Sequence, residues 1–169
     1  MNRKTTAILF LAALAVSACS NSRFGQGNEP GAYGANGAYG SGAYGDPRSP
    51  EYFQQAVGDR VLFSVDESTL NPAARATLAE QARWLMTNGS YNATIEGHAD
   101  EQGTREYNIA LGARRANAVQ EYLVTQGVAP SRLKTISYGK ERPLEICSEE
   151  ACYAKNRRAV TVLSLGAGS

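Results

Sequence analysis

Three copies of Gly-Ala-Tyr-Gly, starting at Gly31, Gly37 and Gly42, confine the fold to the residues beyond them. From Ser20 to Pro50 there is no hydrophobic periodicity, and the charges of Arg23, Glu29, Asp46 and Arg48 cancel. A segment of this composition buries too little apolar surface to offset the entropy of ordering it. Residues 19–50 therefore read as a flexible tether. A glycine-rich coil of this length has an r.m.s. reach of roughly 30 Å. The tyrosines leave a second reading open, a repeat that is aggregation-prone or touches another surface. Residues 51–169 remain, about 120, which suits one domain around one core.

Within that span, two apolar periods alternate. Arg60–Val65 is a β-branched and aromatic run, hence a strand. Asn71-Pro72 has the form of an N-cap followed by proline at the first helical position. Ala74, Leu78, Ala82 and Leu85 then recur at helical spacing until Asn88-Gly89. Tyr91–His98 alternates and reads as a second strand, and a long helix comes next over 105–126, stopped by Gly127. Leu133–Tyr138 and Ala159–Leu165 are further strands, the last preceded by a short helix over 149–155. The order β-α-β-α-β-(α)-β predicts an α/β two-layer sandwich, with the first two strands parallel through a crossover helix.

The leader sets the compartment. Arg3 and Lys4 precede an apolar run from Ala7 to Ala18. That run is shorter than the roughly 20 residues a bilayer span needs. A basic start followed by a short apolar stretch is the pattern of an export signal, here residues 1–18. The run closes with Val16-Ser17-Ala18-Cys19, which resembles a bacterial lipobox whose cysteine is acylated. The alternative is an ordinary signal peptide with a cysteine beside its cleavage site. Ser20 is not the aspartate that retains many lipoproteins in the inner membrane, so the resemblance implies the outer membrane. If Cys19 carries lipid, Cys147 and Cys152 are left as a pair that an exported protein can oxidise. Zinc would need two more cysteine or histidine ligands, and the single histidine, His98, is far away in sequence. No metal or other cofactor is expected. A net charge of +1 gives nucleic-acid binding no electrostatic support.

The stretch Thr94-Ile-Glu-Gly-His-Ala-Asp-Glu-Gln-Gly-Thr-Arg105 sits where a strand passes through a loop into a helix. Ligands bind at the carboxyl ends of strands in such sheets, and helix N-termini favour anions. On the next helix, Asn108, Gly112 and Arg115 share one face. A mid-helix glycine costs about 1 kcal/mol against alanine. Gly112 therefore marks either a close ligand approach or tight packing against a neighbour. Asp100 and Arg115 facing one pocket would hold a zwitterion, the carboxylate taking an ammonium and the guanidinium a carboxylate. An internal Asp100–Arg115 salt bridge is the competing reading.

The strings EGHADEQGT, EYNIALGARRANAV, SYGKERP and YAKNRRAV resemble the OmpA-like peptidoglycan-binding domain family, nearest its peptidoglycan-associated lipoprotein branch. The resemblance covers about residues 51–165 and implies a mixed four-stranded sheet. It also implies that Asp100 and Arg115 grip meso-diaminopimelate of the peptidoglycan stem, ammonium on Asp100 and carboxylate on Arg115. By the same resemblance Asn108 orients the loop or touches the ligand, with Leu111 and Gly112 at the family's neighbouring positions. Phe63 lines the pocket or is a core aromatic, and Ala99 contributes backbone groups. Arg157 and Arg158 take structural or wall-facing roles. The Cys147/Cys152 pair departs from many relatives. The partners implied are peptidoglycan, the outer membrane through the lipid anchor, and TolB with the Tol complex.

Two rivals are weaker. A hydrolase would need a nucleophile and base within reach, and neither G-x-S-x-G nor a three-ligand zinc set is present in the sequence. The second rival keeps the domain but changes its role. A membrane barrel needs several alternating strands of about 9–11 residues, for which the pattern leaves no room. A flagellar stator protein needs a transmembrane helix, and a generic OmpA-like wall-anchoring lipoprotein without Tol function is the remaining alternative.

Overall fold

In the computed structural model, residues 45–146 and 148–166 are described; the leader, Cys19, Tyr33, Tyr39, Tyr44 and Cys147 lie outside the described residues. Order begins before residue 51. Ser49 caps a short helix, α1 (Pro50–Tyr52), which runs on as a wider π-turn over Phe53–Gly58. Phe53 is fully buried against Trp84, with ring centroids 5.0 Å apart, and the Trp84 indole donates to the Pro47 carbonyl at 2.9 Å. The last residues of the segment read as tether thus belong to the folded unit. Phe53, the half-buried Tyr52 and Val57 packed beside it, the indole hydrogen bond and a Gln81 bond to the Gly58 carbonyl anchor the turn, too few apolar positions to announce it as a period.

The remaining elements arise from the two apolar periods of the sequence. Strand β1 is Arg60–Leu62, helix α2 Pro72–Thr87, β2 Tyr91–His98 and α3 Arg105–Thr125. After them come β3 (Leu133–Gly139), α4 (Glu150–Asn156) and β4 (Arg158–Leu165). Asn71 caps α2 by accepting from the Ala74 amide at 2.8 Å, with Pro72 supplying the first residue that needs no donor.

The sheet is mixed, in the order β1-β4-β2-β3. β2 and β3 pair in parallel, and β4 runs antiparallel to both β1 and β2. β1 and β2 therefore point the same way, as the crossover predicts, but they are not neighbours because β4 lies between them. Leu78 and Leu85 of α2 and Val119 and Leu123 of α3 close on Ala93, Ile95, Leu133 and Ala159 of the sheet. Full burial of each leucine contributes about 1.5–3 kcal/mol. Inside this layer Gln81 is satisfied on both sides: it donates to the Gly58 carbonyl and accepts from the Thr161 hydroxyl at 2.8 Å.

Two glycines set how deeply α3 sits. A Cβ on Gly97 would lie 1.8 Å from the Gly112 carbonyl oxygen, and one on Gly112 would lie 2.4 Å from the Ser137 hydroxyl. Gly112 is therefore explained by packing of α3 on β2 and β3, and the ligand-approach reading of that glycine gives way. The contact positions every functional side chain that α3 carries.

β1 is shorter than the sequence predicts. After Leu62 the chain leaves the sheet for a turn in which the Ser64 and Glu67 carbonyls accept from Arg115. Asp66 in this turn has φ 58°, an uncommon value for a residue with a side chain.

Candidate functional site

The end of β2 delivers Ala99 and Asp100 to a loop closed by Thr104, whose hydroxyl caps α3 by accepting from the Tyr107 amide at 3.2 Å. Asp100 uses both oxygens locally. One accepts from the Gln102 amide at 3.2 Å, and the other takes Nη1 of Arg157 at 3.2 Å. Asn108, one turn into α3, is buried and donates to the Gln102 carbonyl at 2.7 Å. Lys140 ties the same loop from the other side, donating to the Gly103 carbonyl at 2.7 Å. Gly103 itself has φ 86°, a conformation that glycine adopts without strain.

These groups border a cavity of about 280 Å³ lined by Asp66, Asp100, Gln102, Tyr107, Asn108 and Leu111 among others. The Tyr107 hydroxyl donates to the Asp66 carboxylate across its mouth. Two carboxylates, Asp66 and Asp100, and two amide residues, Gln102 and Asn108, thus line one small opening, which fits a cationic group.

Arg115 lies behind this wall and is not part of the lining. Its side chain is 0% exposed. The guanidinium donates to the carbonyls of Glu67, His98 and Ser64 at 2.8, 2.8 and 3.1 Å. A guanidinium has five N–H donors, so two remain after those three bonds. The Phe63 ring sits 5.2 Å from its central carbon. Burial lowers the Arg115 pKa to about 10, opposed in part by the charge of Asp100. It stays protonated at neutral pH, a buried cation whose hydrogen-bond partners are neutral carbonyls. Phe63 is a core residue beneath this cation, and Ala99 uses its amide on the Gly139 carbonyl at 2.8 Å; neither lines the cavity.

The ion pair of Asp100 is with Arg157, not with Arg115. The sequence points Arg157 toward structural or wall-facing roles, and the structure brings it against the site's carboxylate. β4 inserts beside β2, so the residue just before β4 arrives at the end of β2. Arg157 also donates to the Phe63 carbonyl at 3.3 Å and pairs with Glu150 at the start of α4. That pairing holds the Glu150 carboxyl below its usual range. Arg158 turns the other way, onto the Arg142 and Asn156 carbonyls.

His98 lies apart from the cavity. It is 2% exposed and stacks on Tyr138, with ring centroids 5.6 Å apart. Neither ring nitrogen has a hydrogen-bond partner among the described residues, and Glu96 is 3.7 Å away, too far for one. Burial, with Arg158 and Arg142 adding to it, lowers the His98 pKa from 6.5 to about 4. The neutral ring is therefore the folded form. Its contribution to stability is complete above about pH 6.5 and declines as pH falls toward 4, by up to roughly 3 kcal/mol. Melting curves of wild type and His98→Phe across that interval check this: the variant keeps a ring and flattens the slope. Parallel slopes would mean that His98 is not the titrating group.

The OmpA family model matches residues 62–157, a span that holds Phe63, Asp100, Asn108, Arg115 and Arg157. A peptidoglycan-associated lipoprotein of Mesorhizobium japonicum is 49% identical over 169 residues, covering 100% of this chain and 96% of that protein. The chain belongs to the OmpA family, in its peptidoglycan-associated lipoprotein branch. The peptidoglycan-associated lipoprotein of Pseudomonas aeruginosa is 44% identical over 151 residues, 86% of this chain and 89% of that one. The OmpA-family fold is seen in the crystal structure of the peptidoglycan-associated lipoprotein from Burkholderia pseudomallei. That structure matches with a TM-score of 0.65 and 34% identity over 70% of this chain and 100% of that chain. The C-terminal domain of Helicobacter pylori MotB has the same fold at 22% identity, with a TM-score of 0.60 over 64% of this chain and 86% of that chain.

Proposed function

We propose that this protein is an envelope lipoprotein that anchors to the cell wall by binding peptidoglycan non-covalently, through the diaminopimelate of its peptide stem. The observation that carries the reading is the buried Asp100 carboxylate on a small cavity, with the buried Arg115 guanidinium behind it. The free D-centre of diaminopimelate offers an ammonium and a carboxylate on one carbon. Asp100 takes the ammonium, and the carboxylate is drawn by Arg115, which keeps two donors unused by backbone carbonyls. Asn108 holds the Gln102 carbonyl and so fixes the loop that carries Asp100. This is recognition without bond breaking.

The names of the relatives support a peptidoglycan-bound lipoprotein. Acyl chains on Cys19 hold the protein in the outer membrane, each buried methylene contributing about 0.8 kcal/mol. The glycine-rich segment spans to the wall, and anchoring raises the effective concentration of a weak site near its ligand. Cys152 is disulfide-bonded, and Cys147 is its proposed partner. Binding to TolB and the Tol complex in the periplasm rests on the family resemblance, and co-purification tests it.

Ligand chemistry tests the site. A muramyl peptide carrying diaminopimelate is expected to bind at least about tenfold tighter than the same peptide carrying lysine, which keeps the ammonium but lacks the carboxylate. Calorimetry reads the ratio. Equal affinities would take Arg115 out of recognition.

A further inference from the structure

Arg157 stands between two carboxylates of different character. Nη1 lies 3.2 Å from Asp100, whose side chain is 12% exposed, and 3.4 Å from Glu150, whose side chain is 66% exposed. Nη2 makes a second, close bond to Glu150, and Nε donates to the Phe63 carbonyl at 3.3 Å. Glu150 opens α4 and Arg157 comes directly after its last residue, two turns on, so the pair lies along one side of the helix. The buried charges at the end of β2 lean positive: among the described residues there, Arg115, Arg157 and Arg158 are buried cations, Asp100 is the one buried acidic residue, and Glu101 beside it is half-buried.

An ammonium arriving at Asp100 meets that same imbalance. It needs an oxygen that Arg157 already uses, and it adds a further positive charge. Glu150 resolves both problems, because it holds Arg157 by two hydrogen bonds when the contact to Asp100 is given up. The exposed carboxylate compensates the arginine, and the buried one is left for the ligand.

We propose that Glu150 is a positioning residue for ligand binding: it retains Arg157 as the ligand's ammonium takes over Asp100. This rests on the wall-binding reading and adds to it a residue outside the cavity lining. Glu150 touches no ligand. It sets how strongly Arg157 competes for Asp100, so substitutions in α4 tune affinity without altering the pocket.

The test is calorimetry on the full-length chain with two probes. One is a muramyl peptide carrying diaminopimelate, and the other is the same peptide with the side-chain amine acetylated. Glu150→Gln is expected to weaken binding of the amine-bearing peptide about three- to fivefold, the range of a partly exposed ion pair. Glu150→Asp is expected to recover part of that loss. The acetylated peptide is expected to bind wild type and Glu150→Gln equally weakly, since it brings no charge to Asp100. Unchanged or tighter binding of the amine-bearing peptide by Glu150→Gln overturns the proposal. So does an equal loss for both peptides, which is the mark of a merely structural residue. Failure of wild type to bind either peptide overturns the wall-binding reading, and this proposal with it.

Discussion

Gly97→Ala is expected to lower the melting temperature by about 10–15 °C and to abolish wall binding with it. The added Cβ would meet the Gly112 carbonyl oxygen at 1.8 Å, and that oxygen is backbone, so no rotamer relieves the clash. α3 must lift from β2, opening the layer that Val119 and Leu123 fill. Overpacking of this kind costs about 1–3 kcal/mol or more. A domain of about 120 residues loses several degrees of melting temperature per kcal/mol. The lift also carries Asn108 and Arg115 away from the loop at Asp100. Gly89→Ala is the control, because a Cβ there meets nothing within 4 Å and should leave the melt nearly unchanged. Circular dichroism melts of both variants decide the matter. A Gly97→Ala protein that melts like wild type would mean that this contact does not set the depth of α3.

The second large effect is at Asp100. Asp100→Asn keeps the shape of the side chain and an acceptor for the Gln102 amide, while removing the charge that would hold an ammonium. Arg157 retains Glu150, so the fold keeps most of its stability. Loss of wall binding in this variant is therefore a loss of recognition. Arg115→Ala is less informative. It strips three carbonyls of their donors, that of His98 in a buried place, and releases the Ser64–Glu67 turn. A buried acceptor left unpaired costs about 1–3 kcal/mol, so the variant is expected to loosen the site whether or not Arg115 meets ligand.

How much of this is legible in the residues differs from element to element. β2 alternates because one face meets the helices, and α2 announces itself through Asn71-Pro72, so both are readable. The insertion of β4 between β1 and β2 is not, since strand order is a long-range outcome that no local pattern encodes. The pairing of Arg157 with Asp100 falls in that gap. Its neighbour across the sheet becomes Asp100 only once β4 is seated beside β2. Spacing puts Asn108, Gly112 and Arg115 on one face of α3, which the structure bears out. It does not separate a lining residue, Asn108, from a buried support, Arg115, because both point inward at the same spacing. Phe53 and the turn before β1 carry no periodic signal at all. Asp66 and Tyr107, which close the cavity mouth, have only their places three residues after Phe63 and on α3 to announce them, and neither specifies a cavity.

The proposed hold on the wall runs through the Asp100 carboxylate. Sedimentation with purified sacculi containing diaminopimelate tests it most directly, using a chain that begins at Ser20 and its Asp100→Asn variant. The parent chain is expected to pellet with the sacculi while the variant, folded by circular dichroism, stays in the supernatant. Equal pelleting of the two would contradict it.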